Sequence, residues 1–449
     1  MSIVDRIKNN QIHLPIWIGQ LVSYIPYSIR PVVGNPYRVA RKEIKQYNQL
    51  TESAKKEYIF QKMVSLVNYA YQCIPFYHRY YNDCGFSPSK MKRYDDLSKI
   101  PIINKDLLLS CSLEERSNMD VQHYIVNTGG SSGKTLTFCT QRNQMAIESA
   151  HCHEMYSVIG YKPFHLKMSL VGRKTHADVY DYDFARHILF LNMYLPFNES
   201  SSVLKSVLAK NHIRYLQGYP SILSEFATYC HTDKELLGVV RKKLKGIILN
   251  SEYPYLEYVK PIEEIFGVPC LSFYGHTERC VLAQGDLHLK NKYYPFQTYG
   301  YTEAVLDKNG KYHLVGTSYY NYASPLIRYD TEDIISSPCF GNEGVLTCFE
   351  MLEGRTGQFI VDKKGKKVSL TGLIMGRHHQ LFNYCLHLQV YQQIEGKAII
   401  IYVPKDTNQV IDAPSLVDFS GIDIDFEFIK RDEPVRTVSG KVNLLVLSL

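Results

Sequence analysis

Residues 127–135 read NTGGSSGKT, a run of glycines and hydroxyl side chains that closes with Gly-Lys-Thr. Glycine lets backbone N–H groups approach an anion closely, and hydroxyls and an ammonium add donors and positive charge. The stretch therefore predicts a loop that holds a phosphate. It departs from the mononucleotide loop G-x-x-x-x-G-K-[ST], because the first glycine of that pattern would fall on Thr128.

The composition is that of a globular protein with more than one domain. Its 449 residues suffice for two or three domains, and 45% of them are hydrophobic while 21% are charged. The net charge of +7 is modest, and the lysines and arginines are scattered along the chain. A nucleic-acid-binding protein usually concentrates its basic charge on one element, so we expect no nucleic-acid partner.

The cysteines and the N-terminus favour a cytoplasmic protein. Eleven cysteines occur without any C-x-x-C pair, which is not the pattern of a disulfide framework. The start, MSIVDRIKNN, lacks the apolar core of a signal peptide. No segment reaches the ~18 consecutive apolar residues of a membrane span.

The most apolar segment runs from Leu14 to Arg30 and holds the only tryptophan, Trp17. Two interpretations stay open for it. One is a helix packed on the body of the protein, and the other is an interfacial anchor that touches the inner face of a membrane without crossing it. Pro15 and Pro26 limit the length of any single helix here.

Apolar runs that end in small or polar residues alternate with helical stretches. We expect buried strands within 166–172, 244–252 and 268–278, and helices over 42–72, 202–211, 220–230 and 256–266. This alternation predicts a largely parallel sheet that is covered on both faces. Ligands bind at the carboxyl ends of such strands, so the loops 250–252 and 274–278 are candidate sites by position.

After about residue 295 the pattern changes to paired strands. One hairpin is predicted around Asp307–Gly310, and another around Lys364-Gly365. We therefore divide the chain into a large N-terminal body, 1–353, and a small α+β lobe, 354–449.

Seven regions of the chain, taken in order, resemble the motifs of one superfamily. They are LSKIPIINKDLL (97–108), TGGSSGKT (128–135), GYPSIL (218–223), NSE (250–252) with YGHTE (274–278), SPLIRYDTED (324–333), EGRTGQFI (353–360) and RTVSGKV (436–442). The chain resembles the adenylate-forming enzymes, and among them the phenylacetate–coenzyme A ligase-like branch with its relatives encoded in capsular polysaccharide loci. Their order and spacing carry the resemblance, since any one motif alone would be weak.

The resemblance implies an α/β fold in which a large multi-sheet N-terminal body is joined to a small mobile α+β C-terminal lobe. ATP and Mg²⁺ would bind between them, and a carboxylic acid would become an acyl-adenylate with release of pyrophosphate. The acyl group would then pass to an acceptor, for which coenzyme A, a carrier thiol and an amine all stay open. The relatives in capsular loci imply a place in polysaccharide biosynthesis.

The resemblance also assigns nucleotide-binding residues. The residues expected to hold the β- and γ-phosphates are Thr128, Gly129, Gly130, Ser131, Ser132, Gly133 and Lys134. Those expected around the adenine are Ser251, Glu252, Tyr274, Gly275, His276 and Thr277.

Four further residues receive roles in the reaction. Glu278 would hold Mg²⁺, a hard ion that prefers oxygen. Asp333 would accept hydrogen bonds from the ribose diol, and Arg355 would contact ribose and phosphate. Lys441 would stabilise the negative charge that develops in the adenylation transition state. Arg328 stays open between a structural role and a role in the site.

The chain departs from the motifs at three positions. Glu332 stands where a glycine is usual, Gly357 replaces a hinge aspartate, and Ser272 replaces an Asn or Asp. These changes bear on adenine recognition and on rotation of the lobe.

Three other classes of protein stay in view. They are a P-loop kinase or ATPase, a zinc-stabilised binding module, and a non-catalytic nucleotide-binding scaffold for polysaccharide assembly. The zinc hypothesis rests on four residue types that zinc prefers, which fall within 19 positions: Cys270, His276, Cys280 and His288.

Overall fold

A computed structural model describes residues 15–30, 34–128, 136–171, 175, 179–193, 195, 197–351, 359–375, 377, 379–406, 408–435 and 444–449. Its α-helices are α1 (Ile16–Ser23), α2 (Asn35–Asn48), α3 (Glu52–Cys73), α4 (Pro75–Asp83), α5 (Lys105–Leu109), α6 (Gln144–Tyr156), α7 (Phe197–Lys210), α8 (Pro220–Thr232), α9 (Lys234–Lys243) and α10 (Leu256–Phe266).

The strands up to the middle of the chain are β1 (Tyr124–Asn127), β2 (Thr137–Thr140), β3 (Leu166–Leu170), β4 (Tyr180–Asp183), β5 (Ile188–Leu191), β6 (Ile213–Gly218), β7 (Gly246–Leu249), β8 (Cys270–Gly275), β9 (Leu282–Gly285) and β10 (Lys292–Pro295). The later strands are β11 (Gly300–Leu306), β12 (Tyr312–Ser318), β13 (Tyr329–Phe340), β14 (Leu346–Met351), β15 (Phe359–Val361), β16 (Lys367–Ser369), β17 (Cys385–Tyr391), β18 (Lys397–Pro404), β19 (Asp425–Lys430) and β20 (Leu445–Val446).

One twelve-stranded sheet forms the body, in the order β11-β12-β13-β14-β10-β9-β8-β7-β6-β3-β5-β4. The five neighbouring strands β8, β7, β6, β3 and β5 run parallel. The neighbouring strands β8, β9, β10, β14, β13, β12 and β11 pair antiparallel. The predicted parallel sheet is therefore only part of a mixed sheet. Short connections such as those between β11 and β12 join antiparallel neighbours, because a parallel crossover needs a dozen or more residues.

Helices cover both faces of the parallel part, as predicted. Met168, Leu216 and Ile247 lie in a core with side chains of α7 to α10. Residues Tyr215 and Ile248, one position along their strands, lie in a second core with Tyr156 of α6. Successive side chains of a strand point to opposite faces, so both faces of these strands are buried.

The helix expected over 42–72 is two helices, and the prediction of one continuous element is wrong. Helix α2 ends at Asn48, and α3 begins at Glu52. The Oγ1 atom of Thr51 accepts a hydrogen bond from the backbone N–H of Ala54 at 3.3 Å. Such a cap satisfies an N–H group that a starting helix leaves without an intrahelical partner.

The last part of the chain builds its own small sheets. Strands β15 and β16 form a hairpin, and β19-β18-β17-β20 form a four-stranded sheet around a separate apolar core. Both predicted hairpins are confirmed, with Gly310 (φ +76°) and Gly365 (φ +77°) in the left-handed conformation that their turns require. The boundary at 353/354 lies outside the described residues and stays a prediction.

Two further sequence expectations bear on the fold. Among the described helices, none combines the length and the apolar character needed to cross a bilayer. Cys339 and Cys348 are cross-strand partners joined as a disulfide, while nine cysteines are free. The cysteines thus form one disulfide between neighbouring strands rather than a disulfide framework.

Candidate active site

The carboxyl ends of the central parallel strands meet at one cavity. Gly218, at the end of β6, lies beside Leu249, which in turn lies beside Ser272 of β8. The loops that follow these strands reach a cavity of about 830 Å³. Six predicted site residues line it, namely Thr128, Ser251, Gly275, His276, Thr277 and Glu278. Asn250, from the NSE motif, also lines it.

The predicted phosphate loop connects two strands at the rim of this cavity. β1 and β2 pair antiparallel, and Thr128 follows β1. The Oγ1 atom of Thr128 accepts a hydrogen bond from the N–H of Leu136 at 2.8 Å, which closes the end of the hairpin. The six loop positions from Gly129 to Lys134 lie outside the described residues, so the structure places only the two ends of the loop.

Glu278 is buried at the wall of the cavity. Its Oε2 atom lies 3.1 Å from Nδ1 of His276. The hydroxyl of Tyr329 donates to Oε1 at 3.3 Å, and the Nζ atom of Lys105 lies 3.7 Å from the same oxygen. A carboxylate is stable in such a position only where cations or donors face it.

Lys105 is a site residue that the sequence analysis did not identify, although it lies in the LSKIPIINKDLL motif. Only 3% of its surface is exposed, yet it lines the cavity. Asn104 caps α5 by accepting from the N–H of Leu107 at 2.9 Å. Ile103 exchanges backbone hydrogen bonds with β13, at 3.1 Å to the carbonyl of Arg328 and 2.8 Å from the N–H of Asp330. These contacts fix the start of α5 against Glu278.

Tyr274 and Asp333 lie together but are not among the residues that line the cavity. The Tyr274 hydroxyl donates to Oδ2 of Asp333 at 2.6 Å. The Tyr274 ring lies against Tyr293 and Phe349, with ring centres 6.3 and 5.9 Å away. The two residues predicted for adenine and ribose are therefore neighbours in space, on the antiparallel side of β8.

The NSE motif divides its side chains between two places. The Oδ1 atom of Asn250, at the cavity wall, is buried and makes no hydrogen bond to the described part of the chain. Glu252 turns away, because its Oε2 atom accepts from the N–H of Ser221 at the start of α8 at 3.1 Å. Asn250 and Ser251 therefore line the cavity, whereas Glu252 does not.

Glu332 occupies the position where a glycine is usual in this motif, and its φ is +63°. That conformation is left-handed, and it costs little for glycine but more for other residues. The ladder between β12 and β13 shifts register here. The motif's glycine preference therefore has a backbone cause, and Glu332 keeps the same backbone shape.

Part of the cavity lining is aromatic. Tyr156, Phe273 and Tyr299 line it, and Arg279 pairs there with Glu148 at 3.0 Å. Cys152 also lines the cavity, and burial raises the pKa of its thiol to about 12, which favours the protonated form at neutral pH.

Residues of the last third of the chain close the cavity from the opposite side. They are His379, Gln380, Phe382 and Asn383. The Nδ2 atom of Asn127 donates to Oδ1 of Asn383 at 3.0 Å, directly before the predicted phosphate loop. Residues of both the body and the C-terminal part therefore line the cavity.

Besides Gly129 to Lys134, two further predicted residues fall outside the described part of the chain, namely Arg355 and Lys441. Arg328 is described and buried. It pairs with Glu303 at 2.7 and 2.8 Å and donates to the carbonyls of Ser98 and Ile100 at 2.7 and 2.6 Å. These contacts give Arg328 a structural role.

The residues fit Mg²⁺ better than Zn²⁺. Among the described residues no group of three or more His, Cys, Asp or Glu side chains is close enough together to hold a metal ion. The four zinc candidates therefore do not converge, and burial raises the pKa of Cys270 to about 12. Mg²⁺ commonly uses one or two carboxylates and fills its other positions with water and phosphate oxygens, so Glu278 alone is compatible with it.

Comparison with known proteins finds no matching protein-family model and no matching curated sequence. Solved structures do match, among them several of a 2-hydroxyisobutyryl-CoA ligase. A structure in the thioesterification state, with the 2-hydroxyisobutyryl adenylate and CoA, has a TM-score of 0.53 at 16% identity over 88% of this chain and 90% of that chain. A structure in the postadenylation state has a TM-score of 0.51 at 16% identity over 89% and 90%.

An open conformation of the same ligase matches with a TM-score of 0.51 at 17% identity, over 71% of this chain and 79% of that chain. At these identities the likeness concerns the backbone. The chain therefore has the mixed α/β fold of adenylate-forming ligases, with a large sheet-containing body and a smaller C-terminal lobe.

Proposed function

We propose that the protein activates a carboxylic acid with ATP to an acyl-adenylate and then transfers the acyl group to a thiol. The observation that carries this proposal is the convergence of the phosphate-loop stem, Lys105, Asn250 and Glu278 on one cavity. The 2-hydroxyisobutyryl-CoA ligase that shares the fold has been captured with an adenylate and CoA. The sequence motifs supply the same reaction class independently.

The cavity offers separate places for the nucleotide and the acid. The phosphates would lie between Thr128, Lys105 and Glu278, where donors and a cation face the space. The carboxamide of Asn250 would receive the exocyclic amine of adenine, because its buried Oδ1 is an unused acceptor. The acyl group would lie against the aromatic wall of Tyr156, Phe273 and Tyr299.

Asp333 would accept the ribose hydroxyls beside its present partner. The Tyr274 hydroxyl donates to Oδ2 of Asp333 at 2.6 Å. A carboxylate offers several lone pairs and can accept from a diol and a phenol together. The pair would thus sense the sugar while the Tyr274 ring stays against Phe349.

In the first half-reaction a carboxylate oxygen of the acid attacks the α-phosphorus of ATP. A new O–P bond forms, and the bond to pyrophosphate breaks with its electron pair. Mg²⁺ held at Glu278 would neutralise the phosphate oxygens in this step. Lys105 would turn its ammonium from Glu278, now 3.7 Å away, toward the phosphates when the metal takes its place.

Arg355 and Lys441 complete the proposal through the resemblance alone. Lys441 would stabilise the charge that develops on the bridging oxygen, and Arg355 would hold ribose and phosphate. In the second half-reaction the sulfur of a thiol, after losing its proton, attacks the acyl carbon. A C–S bond forms, the C–O bond breaks, and AMP leaves. Coenzyme A, a carrier thiol and an amine are the acceptors to compare, with polysaccharide assembly as the setting that the motifs suggest.

The products of ATP cleavage test the reaction class. We expect AMP and pyrophosphate in an amount equal to the acyl thioester when the protein is incubated with MgATP, coenzyme A and a panel of carboxylic acids. Glu278→Gln should reduce both products together. ADP with phosphate as the products would instead identify a kinase or ATPase and would contradict the proposal.

A non-catalytic nucleotide-binding scaffold is the second candidate. It is favoured by the present partners of Glu278, because Lys105, His276 and Tyr329 engage both carboxylate oxygens. A scaffold would bind ATP with no AMP formed in the presence of any acid in the panel. Calorimetry beside the product assay distinguishes the two.

A further inference from the structure

Helix α1 buries small side chains and exposes two of its large apolar ones. Its buried residues are Gly19 and Ser23, whereas Trp17 and Leu21, four residues apart, are 66% and 63% exposed. A helix that rests on a globular body normally buries its apolar stripe and exposes its polar one. Here Ile16 packs on the core, whereas Trp17 and Leu21 face away from the protein.

Polar contacts hold this helix on the body. Any side chain at Gly19 would collide with Tyr182, and the Nε2 atom of His187 lies 3.1 Å from Oε1 of Gln20. Arg30, which is 3% exposed, donates to the carbonyls of Ser23, Ile25, Pro163 and Ala185. The segment is therefore a fixed part of the fold, and the outward direction of its apolar side chains is built in.

The outward side chains form one patch with a residue from a distant loop. Tyr24 stacks on Phe164 with ring centres 5.9 Å apart, and Phe164 is itself exposed. We call the following exposed residues the N-terminal patch: Trp17, Leu21, Tyr24, Ile25, Ile29 and Phe164. Scattered exposed apolar residues are ordinary, but a contiguous patch of this kind marks an interaction surface.

Basic residues lie beside the patch. The ammonium of the exposed Lys162 stands 6.0 Å from the centre of the Phe164 ring. Tyr27, two positions before Ile29, packs on Tyr37 of α2, with ring centres 4.8 Å apart. Helix α2 buries Tyr37, Ala40 and Ile44 and exposes its basic side chains Arg38, Lys42 and Lys45.

Negative charge is scarce in this region. Residues 15–50 contain five basic residues and one acidic residue, Glu43. The Glu43 carboxylate is engaged by Lys62 at 2.6 Å and by the hydroxyls of Tyr58 and Tyr320 at 2.7 and 2.6 Å. The basic side chains of α2 therefore present net positive charge next to an apolar patch.

We propose that the N-terminal patch and the basic face of α2 dock this protein on an anionic lipid surface. Apolar side chains with tryptophan and tyrosine enter the boundary between headgroups and acyl chains, while lysines and arginines meet the negative headgroups. A second copy of the chain is a poorer occupant, because a two-fold contact would place the same basic residues against each other. The surface is separate from the cavity and adds a location to the proposed reaction.

The single tryptophan reports on this surface directly. We expect the emission of Trp17 to shift to the blue, and to be quenched by brominated acyl chains, with vesicles that contain phosphatidylglycerol. Pure phosphatidylcholine vesicles should bind far more weakly, and added salt should release the protein. Replacing Lys42 or Lys45 by Gln should each lower vesicle affinity about fivefold.

Matched variants separate docking from folding. Leu21→Ser should lose vesicle binding, whereas Val410→Ser, at an even more exposed apolar residue, should not. Lys308→Gln, in the distant hairpin, is the charge control. Trp17 emission that does not change with either vesicle would overturn the proposal. So would a blue shift that appears without lipid and follows dimer formation in sedimentation, because it would identify a second copy as the occupant.

Discussion

Two pairs of a buried cation and a carboxylate are found at the two ends of the segment 98–105. The Arg328–Glu303 pair contacts its start and Lys105 at its end pairs with Glu278, and the two pairs differ in their surroundings. Arg328 and Glu303 share two hydrogen bonds of 2.7 and 2.8 Å, and the arginine also reaches the carbonyls of Ser98 and Ile100. Lys105 and Glu278 are 3.7 Å apart and line the cavity. We call Arg328–Glu303 the closed pair. We call Lys105–Glu278, which faces the space where a ligand would bind, the open pair.

The difference separates structural from functional use of the same charges. A bidentate guanidinium–carboxylate pair has fixed geometry and few spare donors, so it suits a permanent contact. An ammonium has three rotatable donors on a long stem, and it can leave one partner for another. The closed pair holds residues 98–100 and thereby positions the helix that carries Lys105.

Breaking the closed pair should have the largest effect on stability. Arg328→Met would leave Glu303 buried without its cation, and loss of one partner of such a pair costs about 3–5 kcal/mol. Urea denaturation of the variant measures this loss. The double variant Arg328→Met with Glu303→Gln should recover part of it, because the orphaned charge is gone. A single variant as stable as the parent protein would contradict the structural role.

Breaking the open pair should affect the reaction more than the fold. Removing one group that stabilises charge in a transition state commonly lowers the rate on the order of 10²–10³. We expect Lys105→Met and Glu278→Gln each to slow adenylate formation by this amount, in a single-turnover assay. Lys99→Met, at an exposed lysine of the same segment, is the control and should keep the parent rate.

A buried histidine without a carboxylate partner extends the comparison to the pH dependence of stability. His151 is fully buried, with Nδ1 2.8 Å from the carbonyl of Ile147 and Nε2 3.0 Å from Thr298, and burial lowers its pKa to about 4. The unfolded chain binds this proton at a pKa of about 6.5. Stability is therefore fully present above about pH 6.5 and is lost as the pH falls toward 4.

The expected loss from His151 is at most about 3 kcal/mol, because each pKa unit corresponds to about 1.4 kcal/mol. Chemical denaturation at a series of pH values would measure it. His151→Gln should flatten the pH dependence in this window. An equal slope in the variant would show that other groups account for the acid sensitivity.

The smallest effect is expected on β13, the strand that directly follows Arg328 and whose Tyr329 contacts Glu278. Glu332 is held at φ +63°, so Glu332→Gly should raise the free energy of unfolding by about 1 kcal/mol. Glu332→Ala keeps a Cβ atom and serves as the control, with no gain expected. If both variants gain equally, the benefit comes from removing the charge rather than from the backbone.

The sequence predicted the parallel strands, their covering helices and the hairpins, because apolar runs and turn residues are local signals. It also predicted that loops 250–252 and 274–278 would meet at one edge, since parallel strands share that edge. The joining of the parallel and antiparallel strands into one sheet was not predicted, because strand order depends on contacts far apart in the chain. Lys105 was missed for the same reason, as its partner Glu278 lies on a distant loop.

The same distinction between local signals and distant contacts applies to the candidate site. Asn250 and His276 follow strand ends and could be located from position, whereas the turn of Glu252 toward Ser221 depends on the packing of α8. The preference for glycine at position 332 could be recognised as a motif, but its left-handed backbone becomes apparent only in the structure.

Exchange of labelled pyrophosphate into ATP tests the central claim most directly, because it reports adenylation without knowledge of the acyl acceptor. The account predicts exchange that depends on one class of carboxylic acid and on Mg²⁺. It also predicts that Glu278→Gln loses this exchange on the order of 10²–10³-fold, while Lys99→Met retains it. Acid-dependent exchange that proceeds at the parent rate in Glu278→Gln would contradict the account.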